Sequence, residues 1–396
     1  MMADRRWVKL GLILIAPLAL FYLAFGFYTL VFDVKFSYPI DLRLRWIEHR
    51  FMAEGLNPQV MGHPDKAVAA KHGSMISAGG SYPPWSYATG MLLVPPFDWH
   101  WTRCYFAALN ALALGFVGIR AYRQGVRIGR IEAWICVCSL FAMFSLAVCL
   151  SYGQYSFIIF ALLAGCATLV TREHRVLAGL LLGIALVKPH LVGLFALALL
   201  VRREFRVLAA AGVYLVASSC VTWAVTGADP LSMIQATSKE SELYGFLSQN
   251  HLSLLFQNWL GFHRGMLALS CSGAALCVLV IKLLGKAASL ETVFAACAVI
   301  TMFWTYRKDY DVLLLGFALS SLMLSALQTR RLWPVIIALV FAGTLWIPIR
   351  GTTHHWPVIQ ISLAAIWISG LVEIIAKERR GPLHREVGDK LIVDEK

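Results

Sequence analysis

Charge is scarce in this sequence. Only 14% of its 396 residues are Asp, Glu, Lys or Arg, against 59% hydrophobic, so the chain carries more apolar surface than one water-exposed core can hide. That shortage excludes a soluble single-domain enzyme. Acidic residues are the scarcer sign: 22 Asp and Glu stand against 35 Lys and Arg, a net charge of +13. The basic residues do not gather on one polar face, as they would in a nucleic-acid binder. They punctuate apolar runs, as topology signals do, so no nucleic-acid partner is expected. Paired cysteines are missing too. The nine Cys show no CxxC spacing and almost all lie in apolar stretches, where they read as small hydrophobic residues rather than disulfides or zinc ligands. Neither a Walker A sequence nor a dinucleotide glycine fingerprint occurs, which argues against nucleotide chemistry.

What the chain does have is a succession of apolar runs. The first, Leu10 to Phe32, follows Arg5, Arg6 and Lys9, lacks a convincing small-residue cleavage site, and is expected to be a retained anchor. Further spans are expected near 102–120, 132–150, 155–171, 207–226, 264–284, 289–305, 311–328, 332–349 and 357–376. Segment 176–201 is interrupted by Lys188, Pro189 and His190 and flanked by arginines on both sides, so it should be two short spans meeting at Lys188. Counted so, about twelve crossings form an all-α polytopic membrane protein with both termini cytoplasmic. The basic connections, from Arg120–Arg130 to Lys377–Arg380, then share the inner side. Residues 1–376 form one transmembrane domain and 377–396 a cytoplasmic tail, in what is expected to be a bacterial inner membrane. Segment 33–101 is the large first outer loop; its stretch 83–96, bounded by prolines, is too short to cross and is expected to be re-entrant.

Unusual polar residues concentrate on the outer side. Ile40, Leu44, Ile47 and Phe51 recur at helical spacing as an apolar face for the membrane surface, with Asp41, Arg45 and Glu48 opposite. Asp41 is thus placed to accept a proton from an incoming hydroxyl; the plainer alternative is a helix cap, and Asp33 is a rival carboxylate. Lys188-Pro189-His190 leaves an ammonium and freed backbone for a phosphate, or a lysine reaching for the interface. Arg307 and Lys308 add two cations, or belong to an interfacial girdle. Asp309-Tyr310-Asp311 superficially matches a metal-binding pattern, but Asp311 is well placed to cap the next helix, so no metal is expected. His354 and His355 are adjacent and do not share a helical face as a zinc pair would. Tyr82 and Gln154 either bond sugar hydroxyls or hold the outer loop to the bundle.

Gly55 lies fourteen positions after Asp41 and Pro58 three after Gly55, followed by Ser81-Tyr82-Pro83-Pro84, Gly153-Gln154, Leu177 to Pro189, Asn250 to Ser253 and Tyr306 to Asp311. In that order these pieces resemble glycosyltransferase family 87, membrane enzymes of the GT-C class. The resemblance covers roughly residues 33–330. It implies a GT-C-like bundle and an inverting transfer of a monosaccharide, commonly mannose, from a polyprenyl-phosphate donor to a hydroxyl acceptor, a glycolipid or polysaccharide, on the extracytoplasmic face. Asp41 falls on the family's proposed general base. Lys188, His190, Arg307 and Lys308 become candidates for the donor phosphate, and Tyr82, Gln154, Asn250, His251 and Tyr306 for the substrate. No cofactor beyond the lipid-linked donor is implied. The chain departs from the family at Gln59, where Tyr is common, at His251-Leu252, and at Tyr306-Arg307-Lys308, where His is common nearby. A polytopic transporter or lipid flippase is the alternative from another class; it would claim the Lys188 break, yet the spans are nearly free of central charge and show no internal repeat.

Overall fold

A computed structural model of the chain describes residues 5–32, 40–59, 82–245, 259–304, 308–329, 331–347 and 357–379. Among the described residues every regular element is helical. In chain order the helices are α1 (Arg5–Phe32), α2 (Ile40–Ala53), α3 (Pro84–Leu93), α4 (Trp99–Gly125), α5 (Arg130–Phe141), α6 (Phe144–Tyr152), α7 (Ser156–Thr171), α8 (Arg175–Ala185), α9 (Pro189–Val201), α10 (Phe205–Thr226) and α11 (Pro230–Gly245). They continue as α12 (Phe262–Leu284), α13 (Leu290–Trp304), a 3-10 helix (Asp309–Leu315), α14 (Gly316–Thr329), α15 (Leu332–Trp346) and α16 (Pro357–Arg379). Among the described residues five helical stretches are long and apolar enough to cross a membrane: Lys9–Phe32, Trp99–Gly125, Phe205–Thr226, Arg264–Leu284 and Asp309–Thr329. The expected span at 132–150 is a sixth only if α5 and α6, bent by 49° at their junction, are taken together. Several other expected spans, among them α7, α13 and α15, are apolar but shorter than 18 residues.

Segment 176–201 doubles back as expected. Arg175 Nε lies 3.0 Å from Glu204 Oε2, so its two ends meet and Lys188 is the far point of a hairpin. Pro189 opens α9 at its first position, where a missing N–H is harmless and the fixed φ suits a helix. The returning chain lets α10 run parallel to α8, and two glycines four apart make that approach possible. A Cβ on Gly179 would lie 2.4 Å from Val207 O, and one on Gly183 2.7 Å from Tyr214 Cδ1. Helix α7, with twelve of its sixteen residues buried, runs antiparallel to α8 and sits at the centre of the bundle. Around it the core is aromatic as well as aliphatic: Phe160 meets Phe317 edge-on at 4.7 Å and Phe195 meets Phe294 at 5.1 Å.

The two ends of the bundle differ in chemistry. At one end, Arg120 and Gln124 bond Glu291, Arg202 Nη1 donates to Gly285 O at 3.2 Å, and Arg379 Nε donates to Leu283 O at 3.4 Å. The basic connections therefore meet one another at one end, together with the Arg175–Glu204 pair. Lys188, the start of α7 and Asp311 lie at the other.

Helix α3 covers the break. Its ten residues span only about 15 Å, too little to cross, in line with a re-entrant element. It runs antiparallel to α10, with Thr222 Oγ1 donating to Pro84 O at 2.9 Å and Thr89 Oγ1 3.1 Å from Tyr214 OH. Trp85 Nε1 and Ser86 Oγ each donate over 2.9 Å to the carbonyls of Leu186 and Val187, the acceptors that the end of α8 leaves open. Helix α2 corrects one expectation. Ile47 and Phe51 are buried, but so are Glu48 and His49, so the polar side of α2 also faces protein rather than water. The reason is that this side has polar cover waiting: Arg45 pairs with Glu48, and the Val94 carbonyl lies 2.7 Å from His49 Nδ1.

Candidate active site

The site is built from four chain segments brought to one end of the bundle. Asp41 stands in the first turn of α2 and is half-buried. Gly153 ends α6 in the left-handed region, at φ 67°, which returns Gln154 N to Cys149 O at 2.9 Å and sends the Gln154 side chain across the end of the bundle. Gln154 Nε2 donates to Asp41 Oδ2, and Gln154 Oε1 accepts from Lys188 Nζ at 2.7 Å. Lys188 Nζ also donates to Ser156 Oγ at 3.3 Å and to Asp311 Oδ1 at 3.4 Å, and stands 4.7 Å above the centroid of the Tyr310 ring. Asp311 Oδ1 accepts from Ser156 Oγ at 2.6 Å, and its Oδ2 accepts from Lys308 N at 2.8 Å. A continuous chain of polar contacts thus runs from Asp41 through Gln154 and Lys188 to Asp311. Its far half is desolvated, with Lys188 3% and Asp311 1% exposed, and its near half opens at Asp41.

Charge orders the chain. The ammonium fixes which end of the Gln154 amide faces it, so the amide N–H must face the carboxylate. A sequence model of glycosyltransferase family 87 matches residues 81–329. The chain belongs to glycosyltransferase family 87. No curated protein and no solved structure matches it. As a member of family 87 the chain is a sugar-transferring enzyme, and its long apolar helices make it a membrane protein. The match takes in Gln154, Ser156, Lys188 and Asp311, whereas Asp41 precedes it.

In this family 87 enzyme Asp41, Gln154 and Lys188 meet in one network. Lys188, expected as a phosphate ligand, has all three of its N–H bonds engaged by Gln154, Ser156 and Asp311. As it stands, the ammonium acts on its surroundings through its charge and through Gln154. His190, two residues along the chain from Lys188, and Lys308, whose N–H donates to Asp311, are exposed. Tyr82 is tied to α11 and α2: its carbonyl accepts from Thr237 Oγ1 at 2.8 Å, and Arg45 lies 4.3 Å over its ring. Asn250, His251, Tyr306 and Arg307 lie outside the described residues, as do Asp33, His354 and His355.

Some participants were not singled out from sequence. Ser156 was not, although it follows the Gly153-Gln154 pair by only two residues. Asp311 was assigned a cap alone; it does accept from Lys308 N, and it is also the counter-ion of Lys188. Gln59, noted as a departure from the family, anchors the chain after α2 to the start of α3 and to α11: its Nε2 contacts Tyr82 O at 3.2 Å, Met233 O at 2.9 Å and Thr237 Oγ1 at 3.0 Å.

Proposed function

We propose that this enzyme moves a monosaccharide, with mannose favoured, from a polyprenyl-phosphate donor to a hydroxyl of a glycolipid or polysaccharide, with inversion. The reaction is assigned to the end of the bundle opposite the basic connections. The carrying observation is the Asp41–Gln154–Lys188 chain, which couples a half-exposed carboxylate to a buried cation. Asp41 accepts the acceptor's hydroxyl proton as that oxygen attacks the anomeric carbon. The bond from that carbon to the phosphate oxygen breaks, and the polyprenyl phosphate leaves with the electron pair. Gln154 holds the carboxylate by one oxygen so that the carboxylate is oriented before the substrate arrives. The positive field of Lys188, with the exposed Lys308 and with Arg307, meets the charge developing on the leaving phosphate. The basic end then faces the cytoplasm, with about twelve crossings, short arms included, and both termini inside.

Transfer is favoured over transport by the state of the break. Trp85 and Ser86 occupy the carbonyls of Leu186 and Val187 that a transporter would offer to its cargo. The test is Asp41→Asn in purified protein given polyprenyl-phosphate mannose and a mannoside acceptor. Transfer should fall at least about 100-fold with donor binding retained; near-wild-type turnover would overturn the assignment.

A further inference from the structure

Helix α2 carries Asp41, Arg45 and Glu48 at spacings of four and three residues, so the three share one face. Arg45 Nη1 lies 2.5 Å from Glu48 Oε2, and its guanidinium is 4.3 Å over the Tyr82 ring centroid. Glu48 is 1% exposed whereas Asp41, Arg45 and Tyr82 are half-buried, which makes Glu48 the floor of a polar patch and the others its rim. Tyr155 belongs to the same patch. It stands between Gln154 and Ser156, both members of the network that reaches Asp41. Its side chain is 2% exposed and packs on Phe106, and its hydroxyl is electrostatically coupled to Arg45, Tyr82 and Glu48. Among the described residues that hydroxyl has no hydrogen-bond partner. A buried unpaired phenol weakens the folded state, so its presence on the face of α2 that also carries Asp41 calls for something that bonds it.

We propose that Tyr155, the Arg45–Glu48 pair and the Tyr82 ring form a hexose subsite next to Asp41, in which the Tyr155 hydroxyl bonds a hydroxyl of the bound sugar. This inference rests on the glycosyl-transfer reading. The chemistry suits a pyranose: a carboxylate and a guanidinium engage neighbouring hydroxyls, and an aromatic face accepts the C–H side of the ring. The ring is that of the donor or of the acceptor, and kinetics separates the two.

The experiment uses full-length Tyr155→Phe in lipid nanodiscs with polyprenyl-phosphate mannose, a mannoside acceptor, and bare polyprenyl phosphate as control. Three results are expected. The ligand-free Tm rises, because an unpaired buried oxygen has gone. The KM for whichever substrate supplies the ring rises about 5- to 30-fold, with kcat changed less. Stabilisation by bare polyprenyl phosphate is unchanged. A raised Tm with both KM values unaltered overturns the subsite. A lowered Tm overturns it as well, since the hydroxyl would then have a partner within the protein. If the wild-type protein transfers no sugar, the transfer reading fails separately, and thermal shifts decide the subsite. The mannosyl lipid must then stabilise wild type more than bare lipid does, and Tyr155→Phe must erase that difference; a wild type that does not distinguish the two lipids refutes it.

Discussion

The Lys188–Asp311 pair permits a measurement in which stability and activity part company. Both side chains are at most 3% exposed, and their contact of 3.4 Å joins residues 123 apart in sequence. Asp311→Asn leaves Lys188 with its bonds to Gln154 and Ser156 but without a counter-charge, and removing one partner of a buried pair costs about 3–5 kcal/mol. Lys188→Met should fall near the low end of that range, because Asp311 keeps Ser156 Oγ at 2.6 Å and Lys308 N at 2.8 Å as donors. The double variant removes both charges at once. Since replacing a buried pair by apolar or neutral groups is often close to neutral, its loss should be smaller than the sum of the singles by about 2–3 kcal/mol. Activity should not return with stability. Without the ammonium, Gln154 Oε1 loses its donor and nothing fixes which face of the amide meets Asp41. The assay is a double-mutant cycle by tryptophan-monitored denaturation in detergent, run beside the transfer assay. Stability losses that add to within about 0.5 kcal/mol would mean the pair is not coupled, and a double variant with wild-type turnover would sink the orienting role of Lys188.

Two further tests address the packing that holds the site. His49 is buried with Nδ1 2.7 Å from the Val94 carbonyl, and burial lowers its pKa from 6.5 to about 3. The folded chain therefore resists taking the proton that the unfolded chain accepts. Stability should be unaffected above pH 6.5 and fall by up to about 1.4 kcal/mol per unit between pH 6.5 and about 3; His49→Gln should flatten that limb, and an unchanged slope would count against it. Gly183→Val would push a Cβ to 2.7 Å from Tyr214 Cδ1 and should destabilise by about 1–3 kcal/mol, whereas Gly193→Ala, with nothing within 4 Å, should be neutral or slightly stabilising; equal melting temperatures would contradict the close approach of α8 and α10.

Which parts were legible in the sequence follows from the range of the interactions. The hairpin at Lys188 was readable because proline chemistry and flanking arginines are local signals, and the Arg175–Glu204 contact bears the reading out. That α3 is too short to cross followed from its prolines and its length. The site was legible only at its ends. Asp41 and Lys188 were both named, but the glutamine that joins them was readable only as a sugar contact or a tether. Asp311 was read as a cap on the apolar helix that follows it, because capping is a local signal, while its partner Lys188 lies across the bundle. The inward polar face of α2 was missed because an amphipathic pattern shows that a helix has two faces but not which one meets protein. About twelve crossings were expected, short arms at Lys188 included; among the described residues five helical stretches, or six with α5 and α6 taken together, have membrane length, and an apolar run does not reveal a bend such as the one after Phe141.

Those short arms set the depth of the chemistry. Helix α8 has eleven residues and rises about 16 Å from Arg175, while the hydrocarbon core of a bilayer is about 30 Å thick. Its parallel neighbour α10, with 22 residues, reaches about 33 Å. Lys188 and the groups bonded to it therefore lie well below the level that a full-length helix reaches, in a recess that α3 roofs on one side through Trp85 and Ser86. On the proposed reading, a site at that depth gives little help to a strongly hydrated donor and suits one whose sugar phosphate is carried on a tail in the apolar layer. The same geometry explains why the cation is paired: an ammonium that far from water needs Asp311, Ser156 and Gln154 around it before any substrate arrives. The broken helix thus does two things at once, setting Lys188 below the reach of its full-length neighbour and requiring the buried network that points Gln154 at Asp41.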